Sequence, residues 1–170
     1  MQAWIGLGSN LGDPRAQLQR AVDALARLPG TTVRALSPVY RNPAMTLPDD
    51  PRSDQPDYLN AVAMVDTDLA PLALLDALQQ IESAQGRVRQ QRWGARTLDL
   101  DLLLYGSDRI ASADLTVPHA EMANRNFVLV PLLEIDPAAR LPDGTPLATL
   151  AAARDLAGLA TARPGAAWAD

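Results

Sequence analysis

From Leu98 to Leu102 the chain reads LDLDL, a strict alternation of leucine and aspartate that then runs on into Leu103 and Leu104. A period of two is the mark of a strand with one apolar face, and no helix can place such a pattern on a single side. On that strand Asp99 and Asp101 share one face, while Leu98, Leu100, Leu102 and Leu104 pack on the other. The two carboxylates then stand roughly 6–7 Å apart. Without counter-charge they repel by about 2–3 kcal/mol at an effective dielectric near 20, so something cationic is expected to hold them. Hard oxygen donors at this separation suit Mg²⁺, and two ions about 3.5–4 Å apart fit between such a pair. The same D-x-D also fits an exposed sheet edge carrying two solvated acids, or a pair of Arg salt bridges.

The chain of 170 residues has room for one domain with its own core. It is read as a single domain over residues 1–170, with a peripheral tail over 154–170. Hydrophobic residues make up 48 % but aromatics only 4 %, so Leu, Val and Ala must fill that core. A net charge of −5 leaves no footprint for general nucleic-acid binding. The absence of cysteine excludes disulfide and thiolate chemistry. Every basic side chain is Arg, which excludes a Schiff-base lysine and a Walker-type phosphate loop. No apolar stretch approaches the roughly 20 residues of a membrane span, and the N-terminus lacks a signal peptide's basic region. A cytoplasmic chain, monomeric and without membrane contact, is expected.

AWIGLGSNLG opens as a short apolar strand that runs into Gly6, Gly8 and Gly12, a spacing that differs from the dinucleotide fingerprint. Asp13-Pro14 forms a good helix start, and Leu18, Ala21, Val22, Leu25 and Leu28 recur at helical spacing until Pro29-Gly30. TTVRALSPVY reads as a second strand. Residues 41–57 hold four prolines and four aspartates and form a long loop. YLNAVAMVD is a third strand with Tyr58, Asn60, Val62 and Met64 on one face. APLALLDALQQIESAQG is a helix from Pro71 to a stop at Gly86, and RTLDLDLLLYG is the fourth strand. Beyond it, LTVPHAEMANRNFVLVPLLEI mixes loop and short helical pieces, LPDGTPL is a turn, and the Ala-rich tail starts helical and frays. The order β-α-β-β-α-β predicts an α+β ferredoxin-like sandwich, with helices packed on one face of an antiparallel sheet.

Just upstream of the aspartates lie Arg87, Arg89, Arg92, Arg96 and Trp93. A divalent cation together with several guanidiniums is a constellation for a polyphosphate, because Arg matches phosphate oxygens in bidentate fashion. An Arg-rich loop alone is also what a solvated face looks like. Trp93 reads either as a core anchor or as a stacking platform for a planar ring. Tyr58 and Asn60 offer a hydroxyl and an amide for the edge of a heterocycle, although core and turn roles suit them equally. His119, the single histidine, cannot form a metal cluster and reads most simply as structural.

The blocks GLGSNLGD, YRNP, DQPDYLNAV, IE…GRVR…RWGARTLDLDLLLYG and LTVPH…M…NR.FVL.PL.EI follow one another over residues 3–145. In order and spacing they closely resemble the 6-hydroxymethyl-7,8-dihydropterin pyrophosphokinases of folate biosynthesis. The resemblance implies transfer of pyrophosphate, as one unit, from ATP to the pterin hydroxymethyl group with release of AMP. It implies that Asp99 and Asp101 hold two Mg²⁺, and that Arg87 and Arg96 act on the phosphates. Gln79, Glu82, Arg89, Leu102, Thr116, His119 and Arg125 match positions lining the ATP site. The pterin is expected between Trp93, or the loop near Pro43, and the ring of Phe127, with Asn60 bonding its edge and Tyr58 supporting the pocket. In the first long loop, Asn42 and Met45 are further candidates for pterin contact. The chain departs from the family pattern at the QQ between Arg89 and Arg92, which carries no Lys, and at Asp114 and Ala120, which imply a looser grip on the nucleotide. Two rivals from other classes are a nucleotide-binding regulator of the same fold and a Mg²⁺-dependent phosphohydrolase, for which no water-activating base is identified.

Overall fold

The computed structural model describes residues 1–10, 12–43, 57–85 and 98–161. Along them run β1 (Gln2–Ser9), α1 (Pro14–Ala26), β2 (Thr31–Leu36), β3 (Tyr40–Asn42), β4 (Tyr58–Thr67), α2 (Pro71–Ala84) and β5 (Asp99–Tyr105). A small hairpin of β6 (Ile110–Ala111) and β7 (Thr116–Val117), then α3 (Asn126–Ile135) and β8 (Ala160–Thr161), complete the order. The main sheet runs β5-β1-β4-β3-β8, with β2 also paired to β4, and each of its pairings is antiparallel. Thus β4 lies between β1 and β2, and β1 lies between β4 and β5. These are two interlocked split β-α-β units, the ferredoxin-like arrangement expected from the sequence.

Helices α1 and α2 form where the sequence signals place them. The Asp13 carboxylate accepts the Ala16 N–H at 3.1 Å with Pro14 at the first helical position, so α1 begins there. Its buried stripe of Leu18, Ala21, Val22 and Leu25 joins Leu74, Leu78 and Ile81 of α2. Both stripes pack on Ala3, Ile5 and Leu7 of β1, Ala63 and Val65 of β4, and Leu98, Leu100 and Leu102 at β5.

The other face of the sheet is covered as well. Val128, Leu129 and Leu132 of α3 pack on Trp4, Val62, Leu103 and Leu104, so helices lie on both faces rather than one. The apolar run NFVLVPLLEI carries Pro131 inside the helix, which interrupts the ladder and obscures the helical signal. Two polar clamps hold α3 down. Trp4 Nε1 donates to Asp136 Oδ2 at 3.1 Å, and the Tyr40 hydroxyl donates to the Glu134 carboxylate.

Four local expectations change. The second strand divides into β2 and β3 around Ser37-Pro38, because proline supplies no N–H to a ladder. Ser37 bridges the break: its N–H donates to Val62 O at 2.9 Å, and its hydroxyl accepts the Val62 N–H at 2.9 Å. In β5 the register pairs Trp4 with Leu104 and Ile5 with Leu102, leaving Leu103 as a bulge. Leu104 therefore turns toward α3, away from Leu100 and Leu102, while Tyr105 joins the α1–α2 side. Gly6 and Gly8 lie within β1 rather than at its end. The tail forms 3-10 turns at Leu147–Thr149 and Ala151–Arg154, with Leu147 fully buried beneath α3, and then returns to the sheet as β8.

Replacing Ser37, which is fully buried, by Ala leaves the Val62 N–H without its acceptor. The expected cost is about 1–3 kcal/mol, read as a lower urea midpoint with an unchanged slope.

Candidate active site

One face at one end of the sheet gathers the polar residues singled out above. β1 ends there, β4 and β5 begin there, and β3 ends there. Gly8 pairs with Asn60 on one side and Asp99 on the other, and Gly6 pairs with Val62 and Asp101. Asn60 and Asp99 therefore flank a residue with no side chain, with their Cα atoms about 10 Å apart by two strand spacings. Asp99, Asp101 and Leu103 share the α3 face of β5, as Asn60, Val62 and Met64 do on β4. The result is a trough floored by bare backbone, with carboxylates on one bank and an amide on the other.

The amide bank is built with care. Asn60 is 8 % exposed, and its Nδ2 donates to Asn42 Oδ1 across the β3–β4 pair. Asn42 in turn donates from Nδ2 to Pro43 O at 3.1 Å. The pairing Asn42↔Tyr58 places Tyr58, half-buried, next along the same bank. A Cβ on Gly8 would stand 2.8 Å from Asn60 Oδ1. Glycine at this position thus leaves room for the amide as well as baring the floor. Asn42 was legible only as one candidate in the long loop, and Gly8 only as a strand end.

The carboxylate bank is set by groups on the outer edge of β5. The buried Glu82 of α2 accepts the Leu100 N–H at 2.8 Å, between the two aspartates in sequence. Farther along, the His119 N–H donates to Leu103 O at 3.0 Å. His119 Nδ1 accepts the Glu121 N–H at 3.1 Å, which leaves the proton on Nε2, 3.8 Å from Asp101 Oδ1. Burial chiefly, and then the Arg125 guanidinium, lower the His119 pKa below its ordinary value, with Asp99 and Glu121 opposing. His119 is therefore neutral at pH 7, and its approach to Asp101 is that of a dipole rather than an ion pair.

Asp99 and Asp101 are half-buried carboxylates on one face of β5, in register with Gly8 and Gly6. Among the described residues no cluster of three His, Cys, Asp or Glu forms a closed metal cage. Two neighbouring carboxylates suit Mg²⁺, which usually keeps waters and takes its other ligands from substrate phosphates. The residues fit that ion.

The remaining expected site residues divide. Arg125 and Phe127 come together, the guanidinium carbon 5.7 Å from the ring centroid. Gln79 and Thr116 are exposed, on α2 and β7 respectively. The Leu102 side chain is buried in the α1–α2 core, on the face opposite the aspartates. Arg87, Arg89, Arg92, Trp93, Arg96 and Met45 lie outside the described residues. No described helix is long and apolar enough to cross a membrane.

Fold and site together define a ferredoxin-like sandwich with a small polar trough at one end of its sheet. The family model for 7,8-dihydro-6-hydroxymethylpterin-pyrophosphokinase matches residues 4–137, and the chain belongs to that family. It is 51 % identical over 158 residues to the 2-amino-4-hydroxy-6-hydroxymethyldihydropteridine pyrophosphokinase of Pseudomonas aeruginosa, covering 93 % of this chain and 94 % of that protein. The enzyme of the same name from Haemophilus influenzae is 52 % identical over 141 residues, covering 83 % and 85 %. A crystal structure of wild-type Plasmodium falciparum HPPK-DHPS aligns with a TM-score of 0.65 at 14 % identity, which supports the fold. That alignment covers 88 % of this chain, which spans 44 % of the Plasmodium chain.

The two floor glycines differ in what a methyl group would meet. At Gly6 it would touch Leu103 at 3.6 Å, an ordinary contact, whereas at Gly8 it strikes the Asn60 amide. Gly6→Ala is expected to leave the Asn60 side-chain amide resonances in place, and Gly8→Ala to shift them. Equal shifts in both variants would contradict the assignment of Gly8 as the residue that makes room for Asn60.

Proposed function

We propose that this chain transfers the pyrophosphoryl unit of ATP to 6-hydroxymethyl-7,8-dihydropterin in folate biosynthesis, as a Mg²⁺-dependent cytoplasmic monomer. The observation that carries the reading is the row Asn60–Gly8–Asp99. It sets a hydrogen-bonding amide opposite a carboxylate across a floor of bare backbone, as a flat heterocycle beside a polyphosphate requires.

The hydroxymethyl oxygen attacks the β-phosphorus and loses its proton to solvent, the bond from that phosphorus to the oxygen bridging the α-phosphorus breaks, and AMP departs with that oxygen. No covalent intermediate with the protein is needed, so the residues act by position and electrostatics. Asp99 and Asp101 hold the metal. Two Mg²⁺ ions there would neutralise charge on the phosphates. Asn60, fixed by Asn42, reads the pterin edge, and Tyr58 backs it. Phe127 supplies a stacking face opposite Trp93 or Pro43, and such stacking is worth roughly 1–3 kcal/mol per ring in base-binding proteins. Neutral His119, its Nδ1 occupied by the Glu121 N–H, offers its one N–H, on Nε2, to the nucleotide beside Asp101. Glu82 fixes the backbone between the two aspartates, beside the nucleotide. Gln79, Thr116 and Arg125 complete the ATP site, with Arg87, Arg89 and Arg96 on the phosphates, whereas the Leu102 side chain, buried on the opposite face, is left to the core.

Incubation with ATP, Mg²⁺ and the hydroxymethyl dihydropterin tests the reading. AMP equimolar with product, formed only when pterin is present, is expected. AMP or ADP released without pterin indicates hydrolysis, and no turnover indicates a nucleotide-binding regulator. Asp99→Ala and Asp101→Ala should each abolish turnover while the fold stands, as a thermal melt without metal would confirm. Full activity of either variant at saturating Mg²⁺ would overturn the metal assignment.

Asn60→Ala should weaken pterin binding by roughly 1–3 kcal/mol and leave the nucleotide affinity alone. Calorimetric losses of equal size for both ligands would make Asn60 a structural residue instead.

A further inference from the structure

The segment that follows the last 3-10 turn is fastened to both walls assigned to the pterin. On one side is Asn126, the first residue of α3 and the neighbour of Phe127. Its Nδ2 donates to Asp155 O at 3.0 Å and to Ala157 O at 2.9 Å. The loop is tightened internally, because Asp155 Oδ1 accepts the Ala157 N–H at 2.9 Å and Leu156 O accepts the Leu159 N–H at 3.1 Å. On the other side is Pro43. Gly158 has φ +75°, and a Cβ built on it would lie 3.4 Å from Pro43 Cδ. Two residues later the chain joins the sheet as β8, with Ala160 opposite Arg41 and Thr161 opposite Tyr40.

These contacts lie one after another along seven residues. Asn126 grips Ala157, Gly158 passes Pro43 so closely that a Cβ there would meet its ring, and β8 pairs with the strand whose Asn42 holds the Asn60 amide. Adjacent residues 157 and 158 therefore link the start of α3 to the end of β3, two elements separated by more than eighty residues of sequence. β3 is only three residues long, and without β8 its outer edge has no strand beside it. A short strand paired on one side alone holds its end residues loosely.

We propose that residues 155–161 form a strap that sets the width of the pterin slot, with Asn126 and Gly158 as its positioning residues. The inference rests on the functional reading above, and it assigns the strap to the pterin side alone. Within the sheet, Asp99 and Asp101 on β5 are separated from β3 by β1 and β4, so the carboxylate bank is not held by the strap, and of the residues assigned to the nucleotide Arg125 alone adjoins it, through Asn126.

The test uses the full chain carrying Asn126→Asp or Gly158→Val. Asn126→Asp keeps the shape of the side chain and favours a helix N-terminus, but it replaces a donor with a carboxylate facing two carbonyl oxygens. Gly158→Val puts a β-branched residue at positive φ against Pro43. Calorimetry is run with 6-hydroxymethylpterin and, separately, with Mg²⁺ and α,β-methylene-ATP. Each variant is expected to weaken pterin binding about tenfold, the scale of one or two net hydrogen bonds, and Gly158→Val, which adds no charge beside Arg125, to hold the nucleotide Kd within about twofold. Faster hydrogen exchange at residues 40–42 should accompany the loss. Unchanged pterin affinity in both variants, or equal losses for both ligands in Gly158→Val, would overturn the strap. If the unaltered chain binds neither probe, the functional reading fails instead, and the strap falls with it.

Discussion

The pairing of β1 with a strand on each side is the constraint on which the molecule turns. A central strand normally fills both faces with side chains. Here Ala3, Ile5 and Leu7 fill one face, while Gly6 and Gly8 put no side chain on the other, where Leu103 lies over Gly6 and Asn60 lies against Gly8. The hydrophobic term is served on the α1–α2 side, and on the α3 side it runs from Trp4 to Val62 and Leu103 beside Gly6. From there to Ser9 the strand works as a floor. The site is thus an interruption of the second core, held open because the first core keeps β1 in place.

Polar groups buried around this floor support one another in a chain. Asn60 leans on Asn42, Asn42 on the Pro43 carbonyl, Tyr40 on Glu134, and Trp4 on Asp136. Apart from the local Asn42–Pro43 bond, these join the sheet to the C-terminal end of α3 or one strand to the next, so the hydrogen bonds that satisfy buried groups also fix the distance between the walls. The carboxylate side follows a different plan. There the edge strand β5 is gripped from outside by Glu82 and the His119 backbone, leaving its inner face to the trough.

Much of this was legible from the residues. The alternation around Asp99 and Asp101 placed them on one face of a strand, the Asp13-Pro14 pair placed the start of α1, and YLNAVAMVD placed Asn60 beside Tyr58. The order of strands and helices was enough for the ferredoxin-like layout. What escaped depended on partners remote in sequence. α3 was hidden by Pro131 and by an all-round apolar run, whose helicity is decided by burial on the sheet rather than by period. The break at Pro38 was visible as a proline, but Ser37 bridging it was not, since that role exists only with Val62 opposite. Gly8 could not be distinguished from a turn glycine until Asn60 was known to lie beside it. The return of the tail to β3 left no periodic trace, because two residues of strand carry none.

The bulge at Leu103 gives β5 two grammars in seven residues. Before it, odd positions face the trough and even positions the α1–α2 core. After it the parity is reversed, and Leu103 and Leu104 stand side by side beneath α3. Bulges also sharpen the local twist of a strand, so the acid-bearing half of β5 is turned relative to the half buried between the helices. One surplus residue therefore acts as a coupling joint. It lets the carboxylates take the orientation that the trough needs without passing that rotation on to the packing of Tyr105 and the far end of the sheet.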